Sequence, residues 1–448
     1  MEVIFLIFAS GILYVGIFYS LFFRRNTTLL CFILTYVYFY DYIFIQLGYY
    51  ITGYQLFIIK SLQEYVMLLI LFLIFTRMVI LRRIIINKTD LLFFLCIIGP
   101  LLINLISSTL SGDSIDSMIR GIRLFYIPIL LPYLLFRNGF LQNISFRWIE
   151  KCILFLGIIT VVYAIYQVYT YNDNLNQLWF YKYYNLEDGT NLVKKSSYNY
   201  LRNAMLRATS IFTSSIILTT SLILPLIISI IKIFFTNSRF KIGYFFIFLF
   251  FCFGIYLTNT RIGFLMAIMA LAILFLKNTK FTFLVMVPII SIGFTFVLLL
   301  VSITSDLSAL SRLAQYGTFL QNFKFFGLGL GNENVLIKFD SFYISTILMS
   351  GLFVLLNYYY YYHLTKKIYN IHMLTSYSNV NKTLIISTLI YSMVLIYAFA
   401  FQYMAGSIAV KIFFFLAFLI LSNYQILNGS FNELGKQTIL DKKTALNN

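Results

Sequence analysis

Apolar runs of about twenty residues recur from one end of this chain to the other, and they leave it few ways to fold. A helix of that length crosses the hydrocarbon core of a bilayer and satisfies its own backbone hydrogen bonds there, which an isolated strand cannot do. Spans are expected at 3 to 23, 28 to 47, 61 to 81, 91 to 110, 121 to 136, 150 to 170 and 211 to 231. More are expected at 242 to 257, 262 to 276, 281 to 303, 342 to 362, 383 to 401 and 408 to 425, roughly thirteen helices in all. Of 448 residues, 61% are hydrophobic and only 11% charged, so no soluble domain fits between the runs. The expected fold class is an all-α polytopic integral membrane protein, a single transmembrane domain over 1–448. It carries a long loop over 171–210, a second over 304–341 and a tail over 426–448. The first run, Val3 to Phe23, follows Glu2 rather than a basic segment and lacks a small-residue cleavage site, so it reads as a retained span.

A net charge of +18 would suggest nucleic acid in a soluble protein, but here the basic residues sit mostly in short connections. Arg24-Arg25, Arg82-Arg83 with Lys88, Arg137 with Arg147, Arg239 with Lys241, Lys277 with Lys280, Lys366-Lys367 with Lys382, and Lys442-Lys443 alternate onto one side. The positive-inside rule makes that side the cytoplasm and the N-terminus external, and membrane topology replaces nucleic acid as the cause of the charge. The histidines, His363 and His372, then fall in a cytoplasmic loop. Cys31, Cys96, Cys152 and Cys252 all lie inside apolar runs and read as packing residues, with neither a disulfide framework nor a CxxC metal site. Nor is there a His/Cys cluster or an acidic pair at metal-ligand spacing, so neither metal nor cofactor is expected.

The chemistry collects on the opposite side. The apolar stretch Ile242 to Leu276 is interrupted at Thr258-Asn259-Thr260-Arg261, and an arginine costs several kcal/mol at the bilayer centre. Arg261 is therefore expected in a tight turn at the membrane surface, either as an anchor that snorkels to headgroups or as part of a site. Arg207, in Arg207-Ala-Thr-Ser-Ile-Phe212 just before the seventh span, falls at the same depth. Two guanidiniums at one level suit a multiply charged anion such as a diphosphate, for which arginine offers rigid bidentate donors. Arg120 and Arg123, three apart on one helical face, either extend that site or anchor headgroups. Lys182, Lys194, Lys195 and Arg202 share the first loop with Arg207; long loops also translocate regardless of charge.

The second loop carries Arg312 and Gly327-Leu-Gly329-Leu-Gly331-Asn-Glu333, then Asp340-Ser-Phe-Tyr343. The glycine string lacks the preceding strand of a dinucleotide fold, but glycines let a backbone approach a ligand or turn sharply. Glu333 and Asp340 are candidate bases or merely solvated carboxylates. Asp41 and Glu64, inside or close to the membrane, are expected to bond neighbouring Tyr or Ser side chains.

An arginine-led segment before a span, Thr-x-Thr-Arg at the top of a helix, and a Gly-x-Gly loop leading to Ser341-x-Tyr343 and Gly351 resemble the O-antigen polymerase and O-antigen ligase superfamily. The likeness covers Arg207 to Leu356. It implies a GT-C-like bundle and an inverting, metal-independent glycosyltransferase using undecaprenyl diphosphate-linked oligosaccharides as donor and acceptor. The setting it implies is the periplasmic face of the bacterial inner membrane, with a chain-length regulator protein as a partner and no nucleic acid. Carried over, Arg207 and Arg261, extended by Arg120 and Arg123, would hold the diphosphate. Arg312, Gly327, Gly329, Gly331 and Tyr343 would shape the sugar site, with Asp340 or Glu333 as base. Two departures stand out: Ser210 occupies a position where the family often has glycine, and Asp340 stands where ligases carry histidine. The second favours polymerase over ligase. A flippase or secondary transporter is the rival of another class, and would line the membrane midplane with charge.

Overall fold

The structure, a computed structural model, describes residues 2–51, 61–81, 87–172, 178–179, 201–202, 205–234, 240–275, 315, 317–332, 341–374, 382–401 and 407–424. The span expected at 281 to 303, the tail, much of both long loops, and with them Arg312, Glu333 and Asp340 lie outside the described residues.

Fourteen helices carry the argument: α1 (Glu2–Phe22), α2 (Asn26–Tyr50), α3 (Leu62–Leu81), α4 (Lys88–Leu110), α5 (Ile115–Phe125), α6 (Ile127–Arg137) and α7 (Phe146–Thr170). They continue as α8 (Ser215–Phe234), α9 (Lys241–Leu257), α10 (Arg261–Phe275), α11 (Phe342–Ser350), α12 (Val354–Leu374), α13 (Lys382–Phe401) and α14 (Ile408–Tyr424). A two-residue antiparallel pair, Leu201–Arg202 with Met205–Leu206, leads into Arg207. Among the described residues seven helices are long and apolar enough to cross a membrane, or eight with the bent pair α5–α6 counted as one. The chain is thus an all-α, multi-pass membrane protein.

Prolines set its departures from straight helices. Pro100 has no N–H and its ring crowds the carbonyl four residues back, so the ladder widens over Phe94–Ile98 into a π-helical turn, with the Gly99 amide bonded to the Phe94 carbonyl. Pro128 has no N–H for the Leu124 carbonyl and its ring crowds that oxygen, and the expected single span at 121 to 136 is instead two helices meeting at 59°. In α8, Pro225 cannot donate to the Ser221 carbonyl; the Tyr38 hydroxyl of α2 donates to that carbonyl instead, at 3.3 Å. Tyr391 of α13 donates to Thr220 O at 3.2 Å, one residue away.

The same device recurs: Tyr343 donates to Ile396 O at 2.8 Å and Tyr361 to Ser392 O at 3.1 Å. With no hydrophobic force between helices in lipid, such hydroxyl–carbonyl bonds and close packing at small residues hold the bundle together. α8 is its centre, buried along nearly its whole length, with α7 and α9 brought close at Gly157 and Gly254.

Polar contacts sort the helix ends into two faces. On one, Asn26 donates to Gln142 O at 2.8 Å and Asn423 to Leu141 O at 3.1 Å. Arg137 pairs with Asp90 at 3.0 Å and Lys232 with Glu150 at 2.6 Å there. This is the basic face. The other, the motif face, gathers the ends of α2, α4, α7, α9 and α13 with the starts of α3, α5, α8, α10 and α11. Among the described residues, Arg24, Arg25, Lys88, Arg137, Arg147, Lys241 and Lys382 stand at helix ends of the basic face, as the alternation requires.

A second expectation is corrected. α12 runs on to Leu374, so His363 and His372 are helical rather than in a loop. The cause is upstream: Gly351, at φ 58, ends α11, and a 3₁₀ turn at Gly351–Phe353 restarts the chain. A continuous helix over Phe342–Met373, 32 residues, would be about 48 Å long, well beyond a hydrocarbon core of about 30 Å. α12 alone, at 21 residues, is about 31 Å and long enough to cross.

Candidate functional site

Arg207 is the first residue of a short segment pinned on every side. Gln167, three residues from the end of α7 and 7% exposed, accepts from the Thr209 and Ser210 amides, both at 2.9 Å, and donates to the Thr209 hydroxyl at 3.0 Å. Ser210 has φ +57, a left-handed conformation costing a non-glycine residue about 1–2 kcal/mol. Glycine would fit there without strain. Serine is held in place by its hydroxyl on Thr160 O at 2.5 Å and by the Trp179 indole N–H on its own carbonyl at 2.8 Å. The serine thus holds a backbone conformation that glycine would take without strain.

That segment is tied directly to the Thr-x-Thr-Arg turn, because the Ala208 amide donates to Leu257 O, the last residue of α9, at 3.0 Å. Thr258 and Thr260 flank Asn259, which takes φ +46 as asparagine readily does. Their hydroxyls meet Thr219 of α8 at 2.8 and 2.9 Å and each other at 2.9 Å, all three residues being buried. The spacing of two therefore anchors the turn to the central helix. Arg261 follows as the exposed first residue of α10, where the helix dipole favours an anion. Arg207 and Arg261 arise from loops joined by one hydrogen bond.

The other expected arginines behave differently. Arg123 turns inward from α5, with Nε 2.5 Å from Glu64 of α3 and a second nitrogen donating to the Ser61 hydroxyl at 2.7 Å. Glu64, expected to bond Tyr or Ser, is engaged by this cation. Arg120 is exposed on α5.

The glycine string approaches protein, not open space. Leu328 N and Gly329 N donate to Leu348 O and Met349 O at 2.8 and 3.0 Å, and Leu352 N donates to Phe325 O at 3.1 Å. Gly331 N donates to Ser108 Oγ at 3.0 Å. Gly327 and Gly329 have φ +78 and +100, and a Cβ at Gly327 would overlap Met349 O and Gly351 N. The string splices the α11–α12 break to the end of α4. Beneath α11 lies a cavity of about 320 Å³ whose wall includes Tyr343. α13 packs against both α10, which begins at Arg261, and α11, which carries Tyr343.

Two groupings escaped sequence reasoning. Lys411, a lone cation one turn into the apolar run of α14, lies over the Tyr40 ring at 5.3 Å and interacts with Asp41 and Glu64. Asn104 of α4, fully buried, donates to Tyr126 OH and Ser350 Oγ, both at 2.7 Å, and Tyr126 also bonds Asn357. Lys411 has a signal in its isolation; Asn104 and Asn357, scattered over 250 residues, have none. No protein-family model and no curated protein matches this sequence.

Proposed function

We propose that the chain is a repeat-unit polymerase of the O-antigen or capsule type, a bundle of about thirteen spans of GT-C architecture. It would move a growing glycan from undecaprenyl diphosphate onto the sugar of a new lipid-linked unit at the periplasmic face of the inner membrane. The observation that carries this reading is the Ala208–Leu257 hydrogen bond, which fixes the loops of Arg207 and Arg261 to one another. An acceptor hydroxyl attacks the anomeric carbon with inversion, its proton passing to a base. The carbon–oxygen bond to the diphosphate breaks and the diphosphate leaves with the electron pair. Rigid arginines that neutralise charge growing on that leaving group lower the barrier by binding the transition state more tightly than the ground state. Glu333 and Asp340 are the base candidates from sequence.

The test compares polymer length by gel in cells carrying Arg261→Ala and Arg261→Lys at matched protein levels. Ala is expected to remove most polymer and Lys to restore little, because an ammonium lacks the bidentate fork. Full-length polymer from the Ala variant would remove Arg261 from the site.

A transporter reading draws support from Asp41, Glu64 and Lys411, charged residues on apolar helices with Lys411 interacting with both carboxylates. Detergent-solubilised protein given preformed lipid-linked units separates the two. A polymerase extends them without any membrane to cross, whereas a transporter leaves them unchanged.

A further inference from the structure

Helices α2, α7 and α9 run parallel, and their contacts fix a common register. Cys31 is hydrogen-bonded to Cys152 and the Tyr42 and Tyr163 ring centroids are 5.8 Å apart, while Gly157 packs on Phe251 and Gly254 on Val161. Followed back to the basic face at equal rise, that register sets Arg25, Arg147 and Lys241 at one depth. The α1–α2 turn is tied there directly, since Asn26 donates to Gln142 O and the Ser145 amide donates to the Thr27 hydroxyl at 3.4 Å. Arg24 shares that turn and Lys151 stands one turn into α7, so five exposed cations gather along one edge of the bundle. Among the described residues none of the five is paired with a carboxylate. Asp90 and Glu150, the acidic residues described on this face, are buried and taken by Arg137 and Lys232. The edge therefore carries an unbalanced positive charge.

Beside those cations α7 presents an apolar stripe to lipid. Trp148, 61% exposed, stands at their level with the Lys151 ammonium 5.2 Å from its ring, and the exposed Phe155 and Val162 continue the stripe toward the motif face. An indole with an apolar body and a polar N–H belongs at head-group depth, where cations also meet the phosphates of anionic lipids. We infer that this edge binds an anionic glycerophospholipid, its phosphate held among Arg25, Arg147, Lys151 and Lys241 and its acyl chains laid along Phe155 and Val162. Orientation in the membrane requires only an excess of Lys and Arg in the loops of this side. It does not require that a turn and two helix starts, far apart in sequence, deliver them to one depth around a tryptophan. Charge fixes the sign of the occupant, and the stripe fixes its kind: a soluble anion leaves the stripe uncovered, and a zwitterionic lipid brings an ammonium of its own. The site lies on the face opposite the Arg207 and Arg261 loops and does not depend on the proposed function.

The probe is dioleoyl phosphatidylglycerol, titrated into the purified full chain in detergent, with dioleoyl phosphatidylcholine as the zwitterionic control and native mass spectrometry to count bound lipid. Wild type should prefer phosphatidylglycerol by more than the roughly fivefold that a single cation supplies. Arg147→Gln combined with Lys151→Gln should weaken phosphatidylglycerol binding about 25-fold, at roughly fivefold per cation, and leave phosphatidylcholine unchanged. Lys88→Gln combined with Lys366→Gln removes the same charge from exposed positions elsewhere toward the basic face and should leave binding close to wild type. Arg25→Gln combined with Lys241→Gln, in other elements, keeps the test decisive where the α7 pair fails to fold. Equal weakening by the α7 pair and the Lys88 and Lys366 pair reduces the attraction to general surface charge and overturns the site. A wild type that does not distinguish the two lipids also overturns it, as does displacement of the lipid by an equal concentration of inorganic phosphate, which would make the occupant a soluble anion. Polymer synthesis is scored separately, so its absence leaves this site standing.

Discussion

Replacing Gln167 by Leu removes one side chain and three hydrogen bonds while keeping its volume. The Thr209 and Ser210 amides, now bonded to its oxygen at 2.9 Å, belong to residues with 0% exposure, so water cannot take over. Each buried donor left unsatisfied costs about 1–3 kcal/mol, which makes about 2–6 kcal/mol for the pair. At about 1.4 kcal/mol per tenfold, local opening of the Arg207 segment should rise about 30-fold at the least. Hydrogen exchange by mass spectrometry on a peptide covering 205–214, with the protein in nanodiscs, reads this directly. Thr209→Val, which removes only one neutral side-chain bond, should raise exchange about fivefold, matching about 1 kcal/mol. If Arg207 does its work from this segment, polymer output should fall in the same order. A Gln167→Leu protein whose exchange changes less than threefold would refute the reasoning, since the segment would then be held by something other than this amide.

Other perturbations give equally definite outcomes. Gly327→Ala should lower the unfolding temperature sharply or prevent accumulation. Gly317→Ala, where a Cβ meets nothing within 4 Å, should be neutral or stabilise by up to about 1 kcal/mol, both measured by thermal shift in detergent. Arg123→Glu should destabilise by about 1–3 kcal/mol, and combination with Glu64→Arg should recover part of it in a double-mutant cycle; strict additivity would mean the pair is not coupled. Ser210→Gly should be close to neutral, the relieved backbone strain offsetting the lost hydroxyl bond, whereas Ser210→Ala should cost about 1 kcal/mol in melting experiments. Cys31 and Cys152, hydrogen-bonded thiols on α2 and α7, should cross-link under copper-phenanthroline and shift gel mobility reversibly with reductant, while Cys96 and Cys252 should not contribute.

The spans were legible because hydrocarbon thickness imposes length: the segment expected at 150 to 170 is Phe146–Thr170, and that at 383 to 401 is Lys382–Phe401. Hydropathy is blind to direction, however. It could not reveal the elbow at Tyr126, whose cause is a single proline, or the glycine break that divides α11 from α12. The break before Arg261 was readable, since a charge is disfavoured deep in lipid, and a helix does start at that residue. The role of Thr-x-Thr as an anchor was not, because Thr219 lies 39 residues away from Thr258. Arg120 and Arg123 share a helical face by spacing, yet Glu64 arrives from another helix to claim only one of them. The aromatic cavity left no trace in sequence, since its residues come from six helices and look like any tyrosine in an apolar run.

The proline in α8 bears on how the chain is made. Its central helix enters the membrane with the Ser221 carbonyl lacking its usual donor, and Tyr38, already synthesised, supplies one. Tyr391, which bonds the neighbouring Thr220 carbonyl, is translated 171 residues later. At about 5–20 residues per second that is a wait of roughly 10–30 s. During that interval the central helix has α7 and α9 beside it but not yet α13, and the nascent chain is open to quality-control proteases. A chain truncated before α13 is therefore expected to insert but not to settle. Assembly of the N-terminal helices becomes final only when the C-terminal third arrives.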